Sequence, residues 1–509
     1  MSSSTTTVKK GGRFLNFVER VGNALPHPAS LFGLFALIVL LISWIGSLLG
    51  WSAVHPATGE TVEAINLLSK EGFHRILLGM VDNYTGFAPL GIVMVAMLGI
   101  GIMESSGLIT AAVRMLVMKT PKSMLTFIIV FVGILSNVAS DLGYILIIPI
   151  AGIIFHSVGR HPIAGMAAAF AGVSGGFSAN IIIGTIDPLL AGLSTEAAQI
   201  VDPSYYVLPT ANYYFMAVSA IVIALVGTWV TGKIIEPRLG TYTGDVKAEQ
   251  IEQLSDNERK ALRWAGIVLL VWVAFFCWGL IPQDGFMRGA DNSVLQSPLL
   301  KGFIAVLFLV SGTIGIVYGF ITKKFRSDAD VVKGMTVSFK SLVSFLVLVF
   351  FAAQFVAWFK WSNLGLIMAI GGAHWLQSIN IGMVPLMILF VLFAAFLNMF
   401  MGSASAKWAI LAPVFVPMFM LMGYSPELSQ AVYRIGDSST NIISPMMSFF
   451  ALIITYFEKY EKKAGIGTLI STMLPYSMAF LVIWMALLIL WIWLGLPLGP
   501  GAISLGFTA

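Results

Sequence analysis

The chain has 509 residues, of which 58% are hydrophobic and only 10% charged, with a formal net charge of +5. A soluble domain carries about 25% charged residues, so this chain has too few to cover a water-facing surface. The small basic excess is scattered through short loops and does not argue for a nucleic-acid partner, and a single cysteine excludes an internal disulfide. Long apolar runs recur along the whole length, as in membrane-spanning helices. The alternating ten-residue segments of a barrel are not seen. The reading is an all-α polytopic protein of an inner membrane.

Residues 1–28 carry Lys9, Lys10, Arg13 and Arg20 ahead of the first apolar run, and read as a cytoplasmic segment rather than a cleaved signal. A first half covers 29–233. It opens with spans at 29–50 and 86–104, separated by a polar outer stretch, 51–80. The apolar run 123–158 follows, with Lys119 and Lys122 before it, Arg160 after it, and a polar middle, Ser136-Asn137-Val138-Ala139-Ser140-Asp141. Basic residues at both ends fit a re-entrant hairpin facing inward better than one long helix. The span 163–198 is broken by Gly175-Gly176 and by Gly184-Thr185-Ile186-Asp187-Pro188. In lipid, such breaks are tolerated only where protein or a wet cavity covers them. A span at 212–232 leads to the charged cytoplasmic loop 234–263.

Linking spans at 264–281 and 300–321 precede the second half, 322–509. That half holds a span at 342–359 and an outward-facing hairpin, 383–422, with Gly402-Ser403-Ala404-Ser405-Ala406-Lys407-Trp408 at its tip. A second broken helix, 428–457, carries Arg434-Ile435-Gly436-Asp437-Ser438-Ser439-Thr440-Asn441 and Pro445, and a last span covers 468–493. The total is nine transmembrane helices plus two re-entrant hairpins, with a cytoplasmic N-terminus and a periplasmic C-terminus.

The two halves resemble each other. Gly175 to Ile182 matches Gly436 to Ile443 at five of eight positions, and Pro149 and Pro162 are spaced like Pro413 and Pro426. With the hairpins facing opposite ways, this is an inverted repeat, which places the site at the repeat interface near the midplane.

Intramembrane ionisable groups are costly and usually functional. The candidates are Asp141, Asp187, Lys407, Arg434 and Asp437, all read at hairpin tips or helix breaks. Asp187 and Asp437 suit ion coupling: a carboxylate in a poorly hydrated cavity loads and unloads a proton, or holds Na⁺ beside unwound carbonyls. Asn137, Asn180 and Asn441 supply further oxygen ligands. Arg434 presents a planar fork to a carboxylate, or pairs locally with Asp437 at i+3. Trp408 stacks on an aromatic ring or serves as a core aromatic. Lys407, near a tip, reads as reaching water or headgroups. No cofactor and no protein-bound metal is expected beyond the coupling H⁺ or Na⁺, and a Na⁺ would sit near Asp187 and Asp437. The chain shows no phosphate-binding loop, zinc motif or nucleophile elbow, so an enzyme is not expected.

At these residues the chain resembles the AbgT family of p-aminobenzoyl-glutamate transporters and antimetabolite exporters. The likeness is closest to the MtrF-like branch associated with sulfonamide resistance. The markers span nearly the whole length. Among them are Asn83 to Gly91, Gly184 to Pro188, Phe351 to Phe355, Gly402 to Ala406, Tyr433 to Ser438 and Gly495 to Gly501. The resemblance implies a homodimer and places transport residues at Asp187, Ser405, Trp408, Arg434, Asp437 and Pro445, with Lys407 left outside the site. It implies small aromatic carboxylate or sulfonamide substrates, with export by proton antiport as the leading expectation. The alternatives are a Na⁺- or H⁺-coupled importer and, more distantly, a pure Na⁺/H⁺ exchanger.

Overall fold

The computed structural model describes residues 26–502 and Gly506, except for 27, 55–58, 119–120, 140–142, 245, 247–252, 290–291, 293, 295–296 and 501. Asp141 and Ser140, nearly all of the N-terminal segment 1–28, and part of the 234–263 loop therefore lie outside the described residues.

The chain opens with α1 (Pro28–Leu48) and a small antiparallel pair, β1 (Ser52–Val54) and β2 (Thr61–Glu63), in the register Ser52 to Glu63. This pair is the one departure from an all-α fold among the described residues. Next come α2 (Lys70–Thr85), α3 (Ala88–Ser105) and α4 (Leu108–Met118). The outer stretch that reads as merely polar thus ends in a helix, capped by Ser69, whose side chain accepts from the Gly72 amide.

The 123–158 run is two short helices, α5 (Leu125–Leu135) and α6 (Ile148–Ser157). A 3₁₀ turn over 136–139 follows the first, and a π turn over 143–147 precedes the second. The next run begins with α7 (Pro162–Phe170), where proline occupies a first-turn position whose N–H has no helical partner. A π turn, 171–175, widens the helix, the backbone is irregular over 176–185, and α8 (Ile186–Ala198) resumes. Tyr213–Val230 forms α9.

The linking helices are α10 (Asp256–Leu280) and α11 (Phe303–Ile321), followed by α12 (Asp328–Trp361). α10 begins inside the stretch that reads as loop, because Ser255 and Glu258 form a reciprocal capping box. α13 (Leu364–Ser378) has no counterpart in the sequence expectation: fifteen residues containing Gly-Gly and His374 are too short to read as a span. The second half continues with α14 (Met383–Asn398), α15 (Ala404–Leu421), α16 (Pro426–Asn441), α17 (Phe450–Tyr460) and α18 (Ile466–Trp493).

Among the described residues, eight helices are long and apolar enough to cross a bilayer; one is α15, which the sequence places in a hairpin. The apolar helices of α5, α6, α7 and α14 are shorter. α1, α3, α10, α11 and α12 form one packed group. Close approach there depends on small residues, as lipid-embedded interfaces require: a Cβ on Gly315 of α11 would lie 2.6 Å from the Met103 Cα of α3. A second group surrounds α16, which contacts α14, α15 and α18 of its own half and α8 of the first. Every residue of α16 is buried, although the helix is largely polar. That is possible only because its polar side chains find partners inside the protein.

One element differs from expectation in a way that matters. The sequence repeat pairs Gly436 to Ile443 with Gly175 to Ile182, and Arg434 and Asp437 read as lying at a break within 428–457. Instead α16 runs unbroken through Asn441, and the irregular segment is 442–449, holding Pro445. Gly436 does not unwind the helix; it lets it pack. A Cβ there would lie 2.9 Å from the Ala395 amide of α14. Arg434 and Asp437 therefore project from a continuous helix rather than from a break.

Candidate functional site

Asp187 is the second residue of α8, just past the irregular segment. Its Oδ2 accepts the Gly184 amide at 2.8 Å. Its Oδ1 accepts from Arg434 Nη2 at 2.5 Å, with the guanidinium 1% exposed. The same Nη2 donates to the Ser178 carbonyl at 2.9 Å, and the Ser178 amide donates to Ser438 Oγ at 3.1 Å. The unwound strand of the first half is thus tied to α16 of the second by an ion pair and two hydrogen bonds. A free carbonyl and a helix-start carboxylate both receive one cation, the partnership that buried charge needs.

The local pairing of Arg434 with Asp437 is not made. Asp437 instead binds Lys407 in the first turn of α15, and both side chains are 1% exposed. Lys407 also donates to Asn398 Oδ1. Asn398 in turn donates to the Asp437 carbonyl at 2.7 Å, to Thr440 Oγ1 at 3.0 Å and to Asn441 Oδ1 at 2.8 Å. Lys407 therefore does not reach water or headgroups. A hairpin tip that packs onto a polar helix offers its side chain a carboxylate closer than any solvent. Tyr433, Asn398, Ser178 and Ser438 complete these networks and are missed by the sequence reading. For Tyr433 and Ser438 the available signal was a strongly polar face on a helix within an apolar chain.

Trp408 is fully buried. Its ring stacks on Tyr433 with centroids 4.6 Å apart and planes at 25°, and its Nε1 donates to Ser194 Oγ at 2.9 Å. One face and the indole N–H are thus committed within the protein. Asn137 and Asn180 are buried, each with its amide nitrogen on a nearby carbonyl, Ile134 and Phe177 respectively. Their Oδ1 atoms, and Asp437 Oδ2, have no hydrogen-bond partner among the described residues. Buried acceptors left so are the kind that take a cation or a water.

A cavity of about 320 Å³ lies where these elements meet. Its polar lining includes Thr185 before α8, Ser403 and Ser405 at the tip, and Asn441 at the end of α16; its aromatic lining includes Phe177 and Phe345. Tyr144 and Phe449 also line it, stacked with centroids 4.5 Å apart and planes at 9°. The volume and the mix of apolar walls with a few convergent polar groups suit a small organic ligand. Of the expected substrate residues, Ser405 lines the cavity. Arg434 and Trp408 are not among its lining residues, and Pro445 sits in the irregular segment that contributes Met447 to Phe449.

The profile of the AbgT putative transporter family matches residues 13–505. The chain belongs to the AbgT family. It is a multi-pass membrane transport protein. It is 40% identical over 500 residues to the p-aminobenzoyl-glutamate transport protein of Escherichia coli (strain K12), covering 98% of each chain. Among solved structures, it resembles the YdaH transporter of Alcanivorax borkumensis (TM-score 0.89, 46% identity, 93% of this chain and 100% of that one). It also resembles MtrF of Neisseria gonorrhoeae, from a class of antimetabolite efflux pumps (TM-score 0.91, 50% identity, 96% and 100%). The AbgT fold thus accounts for both the packed group of long helices and the interrupted helices around α16.

Proposed function

We propose that this AbgT-family protein is an ion-coupled secondary transporter of p-aminobenzoyl-glutamate, related folate-pathway aromatic acids or sulfonamide antimetabolites, exporting them by proton antiport. The names of its relatives support the substrate class. The observation that carries the mechanism is the Asp187–Arg434 contact, a charge pair between the helix start that follows the first-half break and the continuous α16 of the second half, beside a polar and aromatic cavity. In this reading the two halves are inverted repeats, with the N-terminus cytoplasmic and the C-terminus periplasmic, and the protein works as a homodimer. Ser405 and the aromatic walls hold the substrate ring. The Arg434 guanidinium takes a carboxylate or sulfonyl group, and Trp408 supports the tip. Asp187 and Asp437, with Asn137, Asn180 and Asn441, handle the coupling ion.

A second reading, proton symport into the cell, is favoured by one observation. Arg434 is already bound to Asp187. A proton on Asp187 would release the guanidinium to an anionic substrate, so proton and substrate would load together. Counterflow of labelled p-aminobenzoyl-glutamate in proteoliposomes tests the substrate and the site. Exchange by wild type, lost in Asp187→Ala and Asp437→Ala, is the expected result, and exchange unchanged in both variants would refute the site. The direction of accumulation under an imposed pH difference then separates antiport from symport, and a Na⁺ gradient alone should drive nothing.

A further inference from the structure

Asp187 and Asp437 each hold a cation of the chain, Arg434 and Lys407. A third buried acid does not. Glu427, in the first turn of α16, is 5% exposed, and no Lys, Arg or His among the described residues makes an ion pair with it. Its carboxylate accepts from the Tyr205 hydroxyl, at 3.0 Å to Oε2 and 3.2 Å to Oε1.

The elements packed on α16 bring no cation to spare. α15 carries only Lys407, held by Asp437; α14 and α18 carry no charged residue; and Glu196 of α8 accepts the Ala88 amide near Lys360. On the loop before α9, Asp202 is turned to Ser204, and Asn212 donates to the Glu427 carbonyl at 2.8 Å. A carboxylate so buried and unpaired is stable only when something neutralises it.

Two further features fit a gated proton site. Tyr205 is half-buried and flanked by exposed Ser204 and Tyr206, so the carboxyl is one side chain from solvent. In the other direction a chain of hydrogen bonds leads inward. Gln430 Nε2 donates to Asn212 Oδ1 at 3.0 Å, Ser194 Oγ donates to Gln430 Oε1 at 2.7 Å, and Trp408 Nε1 donates to Ser194 Oγ. The main chain of Glu427, through the Asn212 bond to its carbonyl, is thereby joined to the tip that forms the cavity, and the residue lies about 10 Å along the helix from Arg434.

We propose that Glu427 carries the coupled proton. The carboxylate takes it from water on the side of the 199–212 loop, by way of Tyr205, and releases it to water on the opposite side once the site has turned. The proposal rests on the proton-coupled reading above and reassigns the proton within it, from Asp187 and Asp437, which hold cations of the chain, to Glu427.

The test uses the full chain in proteoliposomes with labelled p-aminobenzoyl-glutamate. For one proton per substrate, a one-unit pH difference supports about a tenfold concentration ratio. Glu427→Gln keeps the shape and the Tyr205 hydrogen bond but carries no proton. It should retain counterflow exchange, while its pH-driven ratio falls to about one. Glu427→Asp should recover part of the ratio. A wild type that ignores the pH difference overturns the proton-coupled reading and this proposal together. A wild type that responds, with an E427Q that responds equally, overturns this proposal alone. Loss of exchange in a folded E427Q also overturns it, because Glu427 would then belong to substrate passage. Should E427Q not fold, Tyr205→Phe decides. Loss of a donor to the ionised carboxylate should move the half-point of pH-driven flux to higher pH, and an unmoved half-point overturns the proposal.

Discussion

Replacing Lys407 by Met keeps most of the side-chain stem and deletes the one cation bound to Asp437. Both groups are 1% exposed, so water cannot take the cation's place. Removing one partner of a buried ion pair costs about 3–5 kcal/mol, because the remaining charge stays desolvated. Unfolding entropy of about 2.1 cal/mol/K per residue over 509 residues gives roughly 1 kcal/mol per degree for the chain as one unit. Lys407→Met should therefore lower the Tm in detergent by about 3–5 °C, and Asp437→Asn by a similar amount. Removing both charges leaves nothing unpaired, so the double variant should recover at least about half of the summed loss. The assay is a thermal melt of the four proteins, each also run in counterflow. A double variant that is stable but inert assigns the pair to transport, whereas one that is stable and active makes it scaffolding. A Lys407→Met protein as stable as wild type would show that the lysine does not neutralise Asp437, and the charge argument would collapse.

Arg434→Lys should fold but lose at least about tenfold in exchange rate, since a lysine ammonium on its different stem does not reproduce the position from which Arg434 Nη2 meets both Asp187 and the Ser178 carbonyl; rates near wild type would reject the need for the guanidinium. His161, in the loop before α7, accepts the Ile163 amide with Nδ1 at 3.3 Å. Burial is the main cause pushing its pKa below 6.5, with His156 adding and Glu236 opposing. The unfolded chain thus binds the proton more readily, and stability contributed by neutral His161 is present above about pH 6.5 and lost as pH falls through the folded value. Tm between pH 5 and 8 should drop on the acid side, and drop less in His161→Asn, which keeps a capping oxygen. Gly436→Ala should destabilise by about 1–3 kcal/mol by forcing α16 away from α14; an unchanged melt would mean that the close contact is not needed.

Much of the site was legible because its ingredients break local rules. Gly and Pro inside an apolar run mark 176–185 as unwound, and charges in that setting mark Asp187, Arg434 and Asp437 as candidates. The second break falls inside 428–457, at 442–449 around Pro445, but Arg434 and Asp437 lie ahead of it, because identical residues do different work in the two halves. Gly175 ends a helix, whereas Gly436 lets one pack closely, and sequence identity does not separate these uses. Lys407 was discounted because a lysine near a tip usually finds water. Glu427 was passed over because it sits one residue outside the expected segment, 428–457, where an acid reads as solvated.

The sequence by itself determined that the chain lies in a membrane, where its helices are interrupted, and which few charges lie among the apolar runs. Hydrophobic length and backbone propensity act locally, so they can be read residue by residue. Only the tertiary structure decided who neutralises whom. Arg434 meets Asp187 across 247 positions of chain, Lys407 takes Asp437, and Glu427 is held by hydroxyls rather than by a cation. Pairing of buried charge depends on which helices touch, and that is a property of packing rather than of any segment alone.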